Sequence, residues 1–299
     1  MAELVRIHPE VRAALEARRP VVALETTLVS HGFPEGEGVA VALESERRVR
    51  AAWAVPATVG VIDGVIQVGL EEAQLERFGA TPEARKVGPR DLAACAAQGD
   101  LGATTAGATL AVCRTVGIGF LGTGGLGGVH RGWSERPDIS ADLGELARTE
   151  ALVVASGAKS LLDVQATAEV LETIGVPVLG WRTDTIPLFY AREGGPPVST
   201  RVLTVEEVAQ IAQYHWRLGR HSALLLARPP DESLDVEELI EAGLAEASRA
   251  GVQGQDVTPF VLAYIHEASG GATVEANKKL IVENAALAAE VAVAYSRLE

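Results

Sequence analysis

The chain has 299 residues, 47% of them hydrophobic and 22% charged, with a formal net charge of −14. That length and apolar share suit a single α/β domain over 1–299, and the acidic balance argues against a nucleic-acid partner, which needs a broad basic surface. No run of about 18 apolar residues is present to span a bilayer, and Met1-Ala2-Glu3-Leu4-Val5-Arg6 is no basic leader followed by an apolar stretch, so a soluble, cytoplasmic protein is expected.

Helical and extended text alternates along the chain, which predicts an α/β fold with α/β/α layers around a mostly parallel sheet. Residues 9–18 read as a helix, and Val21-Val22-Ala23-Leu24 as a buried strand running into Glu25-Thr26-Thr27. A helix follows over 37–53. Val59–Ile62 and Val65–Val68 then flank Asp63-Gly64, a strong hairpin signal. Helices are predicted at 70–78, 89–97 and 104–115, and a strand from Val116 to Leu121 opens into a glycine-rich loop. Cys95 and Cys113 lie in alanine-rich helical text without metal-ligand spacing and read as buried free thiols. A βαβ unit begins at Leu152 and continues through a helix at 160–174 to Val176–Gly180. Thr204-Val205-Glu206-Glu207 is a capping-box start for a helix to about 218, and Ala223–Ala227 is another buried strand. From residue 234 the text is mostly helical and ends in one long helix at 273–297.

Four lysines stand against twenty-two arginines: Lys86, Lys159, Lys278 and Lys279. Arginine keeps its proton in proteins, whereas lysine can lose it and become a nucleophilic amine. Lys159 lies in the turn between the apolar run Ala151–Ala155 and the next helix. Glu25 and the glycine loop also fall at strand ends, and strand–turn–helix repeats gather catalytic groups beyond the strands' carboxyl ends.

Gly122-Thr123-Gly124-Gly125-Leu126-Gly127 has the letter pattern of a dinucleotide fingerprint, but Gly128-Val129-His130-Arg131-Gly132 follows in place of a helix. A Gly-Lys-Ser/Thr ending is also missing. The segment is therefore either a backbone cradle for an anion, with His130 and Arg131 beside it, or a turn that lets elements pack closely. Asp138 and Asp142, four apart around Ser140, are either hard oxygen ligands for a divalent ion or helix-capping residues. Asn277 and Asn284, the only asparagines, are seven apart and share one face of the last helix.

Several long motifs occur in order: Ala23-Leu24-Glu25-Thr26-Thr27 with Ser30-His31-Gly32, the loop Thr123–Gly132, and Asp138-Ile139-Ser140-Ala141-Asp142-Leu143. Gly157-Ala158-Lys159-Ser160-Leu161-Leu162-Asp163, Gly175–Val178, Thr185–Tyr190, Glu275-Ala276-Asn277 and Glu283-Asn284-Ala285 continue them. Over nearly the whole chain this text resembles the pseudouridine-5′-phosphate glycosidase (indigoidine synthase A-like) family. The resemblance implies reversible cleavage of the C–C glycosidic bond of pseudouridine 5′-phosphate to uracil and ribose 5-phosphate, in pseudouridine degradation. It also implies a manganese ion (Mn²⁺) and a homotrimer. By the same resemblance Lys159 is the nucleophile, forming a covalent ribose adduct, and Glu25 the proton donor. Asp138 is the metal ligand, and Lys86, Ala106, Thr123, His130, Ser140, Ala141, Asp142 and Asn284 are substrate contacts. Ala106 stands where the family often has Val, and Phe33-Pro34-Glu35-Gly36 departs from the more polar text expected after Ser-His-Gly. Another Schiff-base sugar-phosphate lyase or aldolase would share the strand-end lysine and the loop. A non-catalytic sugar-phosphate sensor would use the same residues only to bind. Release of uracil separates the glycosidase from the lyase, and binding with neither turnover nor a borohydride-trapped adduct marks the sensor.

Overall fold

The computed structural model describes every residue except 1–3, 35, 136, 160, 253, 255, 256 and 299. The chain begins β1 (Val5–Ile7), α1 (Pro9–Glu16), β2 (Val21–Glu25), α2 (Thr27–His31), α3 (Glu37–Ala51), β3 (Val55–Ile62) and β4 (Val65–Val68). It continues α4 (Glu72–Gly79), β5 (Arg85–Val87), α5 (Leu92–Gln98), β6 (Gly102–Thr104), α6 (Ala106–Val116), β7 (Phe120–Gly122), β8 (Val129–His130) and α7 (Ala141–Leu146). Then come β9 (Leu152–Ala155), β10 (Leu162–Asp163), α8 (Val164–Thr173), β11 (Val178–Trp181), β12 (Thr200–Val202) and α9 (Val205–Arg217). β13 (Leu224–Ala227), α10 (Glu237–Arg249), α11 (Val257–Ala268) and α12 (Ala272–Ser296) complete it.

Eleven strands form one sheet in the order β1-β4-β3-β2-β7-β9-β13-β11-β12, with β6 joining β3 and β5 joining β6. Along the main path every pair is parallel except β3 with β4. The predicted α/β/α layering is what alternation in these strands produces. Val21, Ala23, Val153, Ala155, Leu225 and Ala227 belong to a core with residues of α1, α6 and α8. Val22, Leu24, Leu152, Val154, Leu224 and Leu226 belong to a second core with α3, α9 and α12. Both strand faces are thus buried, and the strands read as continuous apolar runs. Among the described residues no helix is long and apolar enough to cross a membrane. Cys95 and Cys113 are buried free thiols, as expected.

The Asp63-Gly64 hairpin forms with Ile62 opposite Val65, and both turn residues have positive φ, 51° and 78°, as a type I′ turn requires. Other boundaries move for local reasons. Val116 closes α6, Gly117 caps it in the left-handed region, and the strand starts only at Phe120. The helix expected at 89–97 opens with a 3-10 turn at Pro89–Asp91. The helix expected at 160–174 starts at Val164, because Leu162 and Asp163 pair with His130 and Val129 in a separate two-stranded ladder and Asp163 then caps Ala166 N at 2.9 Å. The expected first residue of that helix, Ser160, lies outside the described residues, as does Glu35 in the segment after Ser30-His31-Gly32.

From β2 the chain crosses to β3 on one side, while β7, β9 and β13 extend the sheet on the other. The order reverses between β2 and β7, and open α/β sheets bind ligands at such a switch point. Glu25 ends β2, the glycine loop leaves β7, and the Lys159 turn leaves β9. Three neighbouring strands deliver them side by side.

Candidate active site

A cavity of about 630 Å³ opens over these strand ends. Glu25, Lys86, Ala106, His130, Asp138, Ser140, Ala141, Asp142 and Lys159 all line it. Thr123 and Asn284 do not; both are fully buried behind it.

Glu25 is buried, and its carboxylate accepts the Thr123 hydroxyl. Burial pushes its pKa up to about 7, against the opposing pull of Lys159, the Thr123 hydrogen bond and Lys86; Asp142 adds to the rise. Desolvation wins here because a carboxylate removed from water loses more than two neighbouring cations return. Near neutral pH this carboxyl can both give and take a proton, the condition for general acid–base catalysis.

Lys159 is placed by a zipper between its own turn and the glycine loop. Ser156 N donates to Gly124 O at 2.8 Å, Leu126 N to Gly157 O at 3.1 Å, and Lys159 N to Leu126 O at 3.1 Å. Gly157 has φ +82°, and a Cβ there would run into the Pro187 carbonyl. Lys86 reaches the same cavity from β5, where it pairs with Ala103 of β6. Two of the four lysines therefore meet at one carboxylate.

Hydrogen bonds commit part of the glycine loop to the fold. Thr123 N and Leu126 N donate to the carbonyls of Val154 and Gly157, Gly127 N to Asp142 Oδ2 at 2.9 Å, and Val129 N to Thr167 Oγ1 at 2.9 Å. Those donors are turned inward and cannot cradle an anion. Close packing is required of the loop: a Cβ on Gly125 would lie 2.6 Å from the Phe189 ring, and one on Gly127 2.6 Å from Ser140 Cβ.

Asp142 is likewise committed. Its second oxygen accepts Gly107 N at 2.8 Å, so the carboxylate bolts the start of α6 to the loop, while Ser140 caps α7 by accepting Asp142 N at 3.2 Å. Asp138 is the more open of the pair; its Oδ2 lies 3.9 Å from His130 Nδ1. Burial holds the His130 imidazole below its ordinary pKa, Asp138 opposes this, and Lys86 and Lys159 reinforce it. Among the described residues no three His, Cys, Asp or Glu side chains converge as a metal cage. One accessible carboxylate suits a hard divalent ion that completes its shell with water and phosphate oxygens.

A narrow recess continues inward from the cavity, bounded by Lys86, Lys159, Gly125, His31, Phe189 and Asn277. Asn277 Oδ1 is buried there with no hydrogen-bond partner. His31 Nε2 lies 2.9 Å from Ala84 O, and burial lowers its pKa. Of the two asparagines on one helix face, then, Asn277 reaches the site and Asn284 does not. Sequence reading also passed over Thr105, Thr258 and Phe189. Thr105 had a usable signal: it precedes α6 and caps it by accepting Ala108 N at 3.2 Å. Phe189 lies within the Thr185–Tyr190 motif, although nothing in that motif singles it out as a site residue, and Thr258 had no signal, since only the fold brings its segment here.

A family model described as indigoidine synthase A like protein matches residues 10–294. The pseudouridine-5′-phosphate glycosidase of Caldanaerobacter subterraneus subsp. tengcongensis is 44% identical, over 100% of this chain and 99% of the relative. That of Escherichia coli is 42% identical, over 99% and 97%. Among solved structures, the prealnumycin C-glycosynthase AlnA in complex with ribulose 5-phosphate superposes with a TM-score of 0.89 at 39% identity, covering 100% of this chain and 99% of that one. An indigoidine synthase A-like protein from Thermotoga maritima also reaches 0.89, at 37% identity and with 99% and 97% covered. With its fold, its motifs and its full length all matched, the chain belongs to the indigoidine synthase A like family.

Proposed function

We propose that this protein is a pseudouridine-5′-phosphate glycosidase, cleaving pseudouridine 5′-phosphate reversibly to uracil and ribose 5-phosphate through a covalent Lys159–ribose adduct. The observation that carries the reading is one cavity holding Lys159 beside a buried carboxyl, Glu25, whose pKa is about 7. Relatives 42% and 44% identical over full length bear that name.

A C–C glycosidic bond has no oxygen leaving group to protonate, so the two-carboxylate glycosidase route does not apply. The lysine supplies an alternative. The Lys159 amine, in its neutral form, attacks C1′ as the C1′–O4′ bond opens, and O4′ takes up a proton. Glu25 protonates C5 of the uracil. The lysine nitrogen's electron pair then expels the base: the C1′–C5 pair restores the C5=C6 double bond and leaves a C1′=N iminium. Water adds to that iminium and releases ribose 5-phosphate and the free amine. One hard step becomes several easier ones. The cavity takes the substrate, with its base toward the unpartnered Asn277 Oδ1 and its sugar phosphate toward Lys86, His130, Ser140 and Ala141. Asp138 would hold Mn²⁺, which when bound supplies a positive charge for phosphate oxygens. The whole chain acts as one catalytic unit, assembled as a homotrimer in the cytoplasm, in a degradative role.

The test is incubation with pseudouridine 5′-phosphate and Mn²⁺, following uracil by chromatography, with Lys159→Ala and Lys159→Arg alongside. Uracil from the wild type and none from either folded variant is the expected result. No uracil, but a borohydride-trapped adduct with ribose 5-phosphate, means a different Schiff-base lyase. Saturable binding of ribose 5-phosphate with neither product nor adduct means a sensor.

A further inference from the structure

Asn284 makes no contact with the cavity, yet its amide is fully employed at the point where the glycine loop begins. Its Nδ2 donates to Thr123 O at 2.7 Å, to Gly124 O at 3.3 Å and to Ser156 Oγ at 3.1 Å. Ser156 opens the turn that carries Lys159, so one side chain of α12 ties the loops after β7 and β9 together. On the other side of the same peptide, the Thr123 hydroxyl reaches the Glu25 carboxylate. Thr123 N is fixed as well, donating to Val154 O at 3.0 Å. The residue therefore has its backbone held at both ends and its hydroxyl aimed at one oxygen.

We propose that Thr123 and Asn284 are positioning residues for the proton donor: Asn284 fixes the first turn of the glycine loop, and Thr123, held by it, clamps the Glu25 carboxylate. A hydroxyl donated to a carboxylate stabilises the ionised form, so the clamp lowers the pH at which Glu25 releases its proton. The charged groups facing Glu25 are Lys159 from the turn after β9, Lys86 from β5 and Asp142 from α7; at its own register β3 presents only Val59. None of these is changed by editing Thr123 or Asn284. This assigns Asn284 a role through Thr123 in place of the substrate contact that family resemblance implies, and it rests on Glu25 being the proton donor.

The experiment is a carbon-13 NMR titration of the Glu25 carboxyl, assigned with Glu25→Gln, alongside the pH profile of kcat/KM for uracil release. Thr123→Val is expected to move the Glu25 titration, and the limb of the profile that follows it, upward by about one pH unit. Thr123→Ser keeps the hydroxyl and restores both. Thr123→Cys, a weak donor of similar size, gives an intermediate shift and serves if the valine variant does not fold. Asn284→Ala moves the titration in the same direction by less. A Glu25 titration unmoved in Thr123→Val, or not restored by serine, overturns the clamp; one unmoved only in Asn284→Ala overturns the relay. The NMR arm needs no turnover, so its outcome stands even where the wild type releases no uracil.

Discussion

At the scale of single residues, Glu25 couples function to stability. Its pKa in the fold is about 7 against an ordinary 4.5, so the folded protein holds that proton more tightly than the unfolded chain does. Stability from this group is fully present below about pH 4.5 and is lost as pH rises to 7, because ionisation then occurs in a site that resists it. A rise of that size corresponds to roughly 3 kcal/mol. Glu25→Gln removes the titration, so urea unfolding should find the variant equal to the wild type near pH 4 and about 3 kcal/mol more stable at pH 8. A difference that stays constant across that range would refute the buried-carboxyl account. The same variant loses uracil release, so the gain in stability is bought with the chemistry. Glu25 and Lys159 were legible in the text because a strand end followed by a polar residue is a local pattern. Asn277 and Asn284 were not resolved from each other. Their spacing of seven specifies a shared face, but it also separates them by about 10 Å along the helix axis, and only the fold says which end lies over the site.

At the scale of elements, the glycine loop and the hairpin make a useful contrast. A Cβ on Gly127 would lie 2.6 Å from Ser140 Cβ and 3.0 Å from Asp142 Oδ2, and Ser140 cannot retreat without unseating the cap of α7. Gly127→Ala should therefore cost roughly 1–3 kcal/mol and reduce uracil release about a hundredfold, since a displacement near 1 Å at a positioned group has that effect. Gly64→Ala also meets an obstacle, Ala96 O at 2.5 Å, at a φ of +78°. Its loss of stability should be of similar size, but turnover at 25 °C should be unchanged, because the hairpin lies away from the cavity. Equal activity losses in the two variants would mean that the loop acts only through global stability. The hairpin was readable since Asp63-Gly64 and its flanks are contiguous. The loop's role was left open because the groups that crowd it, Phe189, Thr167, Ile281 and Ser140, come from four separate segments.

At the scale of the whole molecule, the long apolar runs predicted a mostly parallel sheet, but the strand order and its reversal between β2 and β7 are products of how the crossovers pack. α12 makes that order functional. It lies flat on the sheet: a Cβ on Gly122 of β7 would come 2.7 Å from Ala285 Cα, and Ala285, Ala288, Ala289 and Ala292 are all buried in the core shared with β2, β9 and β13. Small side chains keep the helix close enough for Asn284 to reach the carbonyls of Thr123 and Gly124. Ala288→Leu, one turn beyond Asn284, should overpack this seam, at roughly 1–3 kcal/mol, and lift the helix away from the strand ends. The expected result is a Tm lower by several degrees together with a Glu25 titration displaced upward, as the Asn284–Thr123 contact lengthens. Glu290→Leu, on the exposed side of the same helix, should change neither. A lower Tm with an unmoved Glu25 titration in Ala288→Leu would show that α12 supports the sheet without setting the site, and that the chemistry depends on the loops alone.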